Sequence, residues 1–136
     1  ALFRNWYDGF ILVFVLFLLA IQIQIILWSL GYRFSMNRVM PVLVGLLFLY
    51  VGFFLEKVEQ NWFAGIRTPW TLSSATVWKK THILGAKLFK IAGIVSCAGV
   101  LFLDFAIWFI LVPALGTALV TVVYSWYAFR QETRDP

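Results

Sequence analysis

Four long hydrophobic stretches constrain this chain more than any other feature of its sequence. They cover about residues 10–30, 39–55, 83–103 and 105–128. Each comes near the ~20 apolar residues that a helix needs to cross ~30 Å of hydrocarbon. Charged residues avoid these tracts, which is typical of an integral membrane protein. The sequence therefore predicts an all-α fold: an integral membrane four-helix bundle in a single domain, residues 1–136.

Composition supports this class. The chain is 62% hydrophobic and 12% charged, whereas about a quarter of the residues of a soluble domain are charged. Pumps and ion-coupled transporters usually carry ionisable residues within their spans, and no Asp, Glu or Arg lies in the middle of a span here. The single cysteine, Cys97, permits no internal disulfide, and one histidine gives no metal-ligand spacing. We expect neither a metal site nor a cofactor.

The basic residues predict an orientation. Of the 11 Lys and Arg residues, two (Arg33 and Arg38) lie between the first and second spans. The other nine lie on the opposite side: Arg4, Lys57, Arg67, Lys79, Lys80, Lys87, Lys90, Arg130 and Arg134. The positive-inside rule then places both termini and the 56–82 loop in the cytoplasm, in the cell membrane. Basic residues in such places meet lipid headgroups, so we expect the bilayer as a partner and no direct contact with nucleic acid.

The spans carry two internal signals. From Ile91 to Ala128 the only charge is Asp104, and one unbroken helix of that length would rise about 57 Å, nearly twice the hydrocarbon thickness. We therefore predict a hairpin near Asp104. Pro41, near the start of the second span, suits a first helical turn.

Small residues recur at helical spacing on three spans, and small faces allow helix backbones to approach closely in lipid. The second span has Gly45 and Gly52, one heptad apart. The third span has Gly85, Ala92, Ser96 and Gly99, and the fourth has Ala114, Thr117, Thr121, Ser125 and Ala128. These faces predict where the helices pack against one another.

The segment from Gly65 to His82 is the one long polar stretch. Gly65 permits a positive-φ turn, and Pro69 stiffens the chain beside Arg67. Ser73 or Ser74, with Thr71 as an alternative, can cap a helix that continues into the third span. The helical period then directs His82 into the bundle near the Arg67 loop. It directs a lysine stripe, Lys79, Lys80, Lys87 and Lys90, toward headgroups.

Two residues of this segment carry candidate chemistry. Arg67 can bind a phosphate or carboxylate through its planar fork, or it can bond to Glu56, Glu59 or a carbonyl of its own chain. His82 can act as an acid, a base or a ligand, or it can be a buried structural histidine. A small membrane enzyme acting on a lipid headgroup or peptide would use His82 and Arg67 with Glu56 or Glu59.

The run NWFAGIRTPWTLS, residues 61–73, followed by Val77-Trp78 and Thr81-His82, resembles the signature of the SdpI family. This is a family of integral membrane proteins similar to an immunity protein against a sporulation-delay toxin. The resemblance covers about residues 37–130. The first span resembles a helix that precedes this region in longer members, so we expect the C-terminal membrane domain of a larger protein. The matching motif is Asn61, Gly65, Arg67, Thr68, Pro69, Trp70, Thr71, Ser73, Trp78, Thr81 and His82.

The resemblance implies a non-enzymatic protein of the cytoplasmic membrane that protects the cell against a membrane-active peptide toxin. In the founding system it also implies membrane capture of a transcriptional repressor. The motif would then bind the toxin, a cytoplasmic regulatory protein or a lipid. A structural or export subunit and the small enzyme described above stay open as alternatives.

Overall fold

The computed structural model describes residues 2–134, with side chains from Arg4 onward, so residues 1, 135 and 136 of the predicted domain lie outside the described part. Within it the helices are α1 (Leu2–Ser29), α2 (Met36–Leu55), the short α3 (Pro69–Ser73), α4 (Ala75–Ala98) and α5 (Ala106–Arg134). The segments long and apolar enough to cross a membrane are Arg4–Ser29, Met36–Leu55, Ala75–Leu101 and Leu103–Arg134. The predicted all-α class with four membrane-spanning helices is confirmed.

The helices extend beyond the hydrophobic stretches that predicted them. α1 begins at Leu2, before the hydrophobic stretch that starts near residue 10, and α4 begins at Ala75, in agreement with the predicted cap at Ser73 or Ser74. α5 continues to Arg134. Hydrophobicity marks the part of a helix that lies in hydrocarbon, whereas helical hydrogen bonding carries the same helix into the interface.

Pro41 lies inside α2 rather than in its first turn, because that helix begins at Met36. The prediction of an N-terminal position for this proline is therefore wrong. Proline has no N–H and leaves a helical hydrogen bond unmade. Its carbonyl is nevertheless used between helices: Ser96 Oγ on α4 donates to Pro41 O at 3.0 Å, and both residues are buried.

α2 and α4 cross where glycines face each other. A Cβ added to Gly45 would lie 2.6 Å from the carbonyl oxygen of Gly93, and a Cβ on Gly93 would lie 2.6 Å from that of Gly45. A Cβ on Gly52 would lie 2.9 Å from the Ala86 carbonyl oxygen. The two backbones are therefore in direct contact, which larger residues would prevent.

The small-residue face predicted on the third span is buried, at Gly85, Ala92 and Ser96 of α4 and at Gly99 in the 3-10 turn that follows it. Thr117, Thr121, Ser125 and Ala128 of α5 are also buried, whereas Ala114 is half-buried. A Cβ on Gly85 would lie within 3.6 Å of the Thr121 side chain. The prediction that these small-residue faces pack against neighbouring parts of the bundle is thus confirmed.

The predicted hairpin near Asp104 is also confirmed. α4 ends at Ala98, and two 3-10 turns, Gly99–Leu101 and Leu103–Phe105, lead into α5. Phe102, between them, has φ −131° and ψ 70°, which breaks the helix. Asn37 Nδ2, at the start of α2, donates to the Leu103 carbonyl at 3.1 Å and ties the turn to the bundle.

α1 packs at the edge of the bundle against α2. Phe10 stacks on Phe54 with ring centroids 5.3 Å apart, and the Tyr50 hydroxyl donates to the Trp6 carbonyl at 3.0 Å. These contacts place the N-terminal half of α1 beside the C-terminal half of α2. The loop that follows α2 lies at the same end, which we call the loop end.

Candidate functional site

Asn61 folds the first part of the loop. Its side-chain oxygen accepts from the backbone N–H groups of Phe63 and Ala64, each at 2.8 Å. Its side-chain nitrogen donates to the carbonyls of Glu59 (2.6 Å) and Ala64 (3.0 Å). Both ends of the amide are therefore engaged in closing one turn, a common role for asparagine.

Gly65 requires glycine for two reasons. Its φ is +116°, which residues with a side chain rarely adopt. An added Cβ would also lie 2.7 Å from His82 Nε2 and 3.0 Å from the Trp78 ring. The glycine thus allows the loop backbone to lie directly against α4.

His82 fastens the loop to α4. Its Nδ1 donates to the Trp78 carbonyl at 2.8 Å, and its Nε2 accepts from the Ile66 N–H at 2.9 Å. Its side chain is 3% exposed, and its ring stacks on Trp78 at 4.0 Å between centroids. The predicted inward direction of His82 is confirmed. An accepting Nε2 carries no proton, so this imidazole is neutral, and backbone groups occupy both of its nitrogens.

Hydroxyl groups fasten the loop to α5. Thr68 caps α3 and forms a capping box with Thr71, whose hydroxyl also donates to the Ile66 carbonyl at 2.8 Å. Thr68 Oγ1 donates to Ser125 Oγ on α5 at 3.0 Å. Thr71 and Ser125 are fully buried at 0% exposure. These bonds are therefore shielded from competition with water.

The helix caps settle the alternatives among the serines. Ser74, not Ser73, caps α4: its hydroxyl accepts from the Val77 N–H at 3.3 Å and donates to Glu132 on α5 at 2.6 Å. The Ser73 hydroxyl donates to the Pro69 carbonyl at 2.6 Å. Pro69 begins α3, a separate turn of helix that the sequence did not predict.

Arg67 bonds to a carbonyl. Its Nη1 donates to the Trp62 carbonyl at 2.6 Å, and the side chain is exposed. Glu56 pairs instead with Lys90, whose Nζ also lies 4.4 Å from the centre of the Phe53 ring. Lys90 is therefore paired within the chain, because the Glu56 carboxylate, just after α2, lies within its reach. That the lysine stripe faces headgroups stays a prediction.

The four residues of the alternative catalytic set do not converge. His82 bonds to backbone atoms, Arg67 to a carbonyl and Glu56 to a lysine. The Glu59 carboxylate forms no ion pair within residues 4–134. Across the described chain, no group of three or more His, Cys, Asp or Glu side chains comes together in a way that could hold a metal ion.

The remaining motif residues line the same unit. Trp78 Nε1 donates to the Val58 carbonyl at 3.3 Å, and Trp70 is half-buried. Thr81 is fully buried, and its hydroxyl has no hydrogen-bond partner in the described chain.

Gln60 also belongs to this unit, although the sequence did not predict it. Its Nε2 donates to the carbonyls of Thr71 (2.8 Å) and Leu72 (3.1 Å) at the end of α3. Ser125 was placed on a packing face, but its bond to the loop was not predicted. Neither contact has a local sequence signal, because each depends on how distant segments meet.

A cavity of about 350 Å³ lies next to this unit. α1, α2, α4 and the loop all contribute to its wall. The lining includes Phe10, Val51, Phe54, Phe63, Ile66 and Phe89. The wall is mainly apolar, and Phe63 at its edge is 84% exposed.

The family model described as the SdpI/YfhL protein family matches residues 57–125, half of the chain. The match contains the whole loop, α3, α4 and most of α5. The chain belongs to the SdpI/YfhL family. It is similar to the immunity protein SdpI of Bacillus subtilis (strain 168), with 26% identity over 118 residues. That alignment covers 86% of this chain and 57% of the B. subtilis protein. No solved structure matches the chain.

Proposed function

We propose that this chain is a non-enzymatic membrane protein that protects its cell against a membrane-active peptide toxin, and that the peptide binds at the loop end. Family membership and the similarity to an immunity protein support this class of function. One observation supports the loop end as the binding position. The motif residues form a single unit there, which is bonded to α4 through His82 and to α5 through Thr68.

The exposed side of that unit offers complementary chemistry to a peptide. The Arg67 guanidinium is in no ion pair within the described chain and can take a peptide carboxylate in its fork. Trp62 and Phe63, which are 71% and 84% exposed, offer apolar surface beside it. Because hydrogen bonds hold the loop in place, little ordering entropy opposes binding.

We also propose that the loop end and both termini face the cytoplasm, as the distribution of Lys and Arg indicates. A cytoplasmic regulatory protein would then meet the same surface. With Cys97 replaced by alanine, cysteine at Lys57 should resist a membrane-impermeant maleimide applied to intact cells. Cysteine at Arg38, at the opposite end, should react. If the cysteine at position 57 reacts and the cysteine at position 38 does not, the loop end faces the outside and the proposed orientation is wrong.

The test of function compares two arginines. Arg67→Lys keeps the charge but loses the two-pronged geometry. It should lower the survival of cells that depend on the chain during challenge with membrane-active peptides, while the amount and melting temperature of the protein stay unchanged. Arg33 is a matched control, because its guanidinium also bonds a tryptophan carbonyl (Trp28, 3.4 Å) but lies at the opposite end.

Arg33→Lys should leave survival at the level of the original chain. Full protection by a normally folded Arg67→Lys protein would contradict a binding role for the fork. Loss of protection together with loss of folding would instead assign Arg67 to the loop structure, and we expect the two to separate because this side chain is exposed.

A further inference from the structure

The cavity at the loop end suits an apolar occupant, because most of its wall is apolar and, of the described residues in its lining, Tyr7 is the one with a polar side chain. At about 350 Å³ it falls within the range of small-molecule sites, about 300–1,000 Å³. Water enters a cavity of this kind only when several polar partners can bind it. The rings of Phe10, Phe54 and Phe89 form much of the wall and offer none.

The position of the cavity suits one end of an acyl chain. Val51 and Leu55, in the last turns of α2, line it, so it lies within about 6 Å of the end of that membrane-spanning helix. It opens past Phe63 and past Ile11 of α1, which is 45% exposed. Such a depth is where a phospholipid chain joins its headgroup.

The positive charge of Arg67, close to the cavity wall, favours a lipid with an anionic headgroup. The Arg67 guanidinium bonds to the Trp62 carbonyl, which belongs to the peptide group that leads into Phe63 in the cavity wall. No carboxylate pairs with Arg67 within the described residues, because Glu56 pairs with Lys90. Arg67 does not itself line the cavity, but a phosphate held in its fork would lie near the peptide group that joins Trp62 to Phe63 in the cavity wall.

We propose that the loop end holds one anionic phospholipid, with an acyl chain in the cavity and its phosphate on Arg67. This site goes beyond the proposed protection against a peptide and shares Arg67 with it, so lipid phosphate and peptide carboxylate would compete for that side chain. Its test is independent, since lipid binding is measured on the purified protein without any toxin.

Native mass spectrometry of the full chain in mild detergent tests the site. Dioleoyl phosphatidylglycerol should bind as a single retained molecule, about tenfold more tightly than dioleoyl phosphatidylcholine. Arg67→Gln should remove this preference, and Arg33→Gln, at the opposite end, should keep it. Equal binding of the two lipids by the original chain would overturn the assignment of the headgroup.

Filling the cavity tests the acyl chain. Val51→Phe should reduce the retention of both lipids about tenfold, whereas Val42→Phe, on the exposed surface of the same helix, should not. Ile11→Trp fills the cavity from its exposed edge and serves if Val51→Phe does not fold. Normal lipid retention by a folded cavity-filled variant would overturn the proposal.

Two further outcomes would also overturn it. Soluble glycerophosphoglycerol should not compete with phosphatidylglycerol, and if it competes equally, the phosphate binds without the chain. If Val51→Phe abolishes protection against peptides but keeps lipid retention, the cavity serves the peptide instead.

Discussion

The α2–α4 crossing and the loop end hold helices together by different means. At the crossing, Gly45 and Gly93 bring two backbones into contact mainly through close packing, with one buried hydrogen bond, from Ser96 to the Pro41 carbonyl, beside them. At the loop end, buried polar groups such as His82 and Thr71 form hydrogen bonds. Lipid gives helices no hydrophobic reason to associate, so the crossing depends on close packing. Damage at the crossing should therefore spread through the bundle, whereas damage at the loop should stay local.

Gly93→Ala should have the largest effect. Its Cβ would lie 2.6 Å from the Gly45 carbonyl oxygen, a backbone atom, so α2 and α4 must move apart. We expect the free energy of unfolding to fall by about 3 kcal/mol, as for a severe overpacking. Titration with sodium dodecyl sulfate from mild detergent measures this. An unchanged midpoint would show that the helices do not touch there.

Gly65→Ala should come next, at about 2 kcal/mol, because it combines a positive φ with a contact to the His82 ring. Amide hydrogen exchange should accelerate across residues 61–73 and stay slow in α2 and α4. Gly31→Ala is the control, since Gly31 has φ +99° but nothing within 4 Å of an added Cβ. If the two variants lose equal stability, the contact with His82 contributes nothing.

Ser125→Ala should cost about 1 kcal/mol, the net value of one buried hydrogen bond, because Thr68 Oγ1 loses its partner on α5. The loss should appear as faster exchange in α3. Ser29→Ala removes an exposed bond to the Ile25 carbonyl and should change little. If amide exchange in α3 is the same in Ser125→Ala as in the original chain, the bond between Thr68 and Ser125 does not hold the loop to α5.

Gly116→Ala should have the smallest effect and the opposite sign. Gly116 lies in α5 with nothing within 4 Å of an added Cβ, so alanine gains helix propensity without a clash. We expect a stabilisation of about 0.5–1 kcal/mol, read from the same detergent titration as Gly93→Ala. A loss comparable to that of Gly93→Ala would mean that any glycine in this bundle is equally sensitive.

Much of the fold follows from local sequence rules. Span number, the hairpin near Asp104 and the packing face through Gly85 and Ser96 all rest on length or helical period. Gly93 was missed because it lies about 100° around the helix from Ala92, outside the small-residue face that the helical period identified. α4 packs against both α2 and α5, so its small residues cover a wider arc than a single face. A search for one small-residue face therefore leaves some of them out.

The stiffness of the loop could be predicted from the sequence, but the hydrogen-bond and ion-pair partners of its side chains could not. Gly65 and Pro69 indicate local constraints on the backbone, and the helical period predicts that the His82 side chain points into the bundle. The partner of Arg67 was left among Glu56, Glu59 and a carbonyl, because sequence does not fix which acceptor lies nearest. The pair of Glu56 with Lys90 depends on how α2 meets α4, which no local pattern encodes.

The partners of the loop side chains have an evolutionary consequence. His82, Asn61, Gln60, Arg67 and Trp78 all bond to main-chain atoms of other residues. A main-chain atom is present whatever amino acid occupies the position, so Val58 or Trp62 can change identity while the bond to it persists. Paired changes that preserve a contact are therefore not needed here. Drift at these acceptor positions should proceed independently of the donors, and covariation between the aligned columns of each such donor and acceptor should be weak even though the residues are in contact.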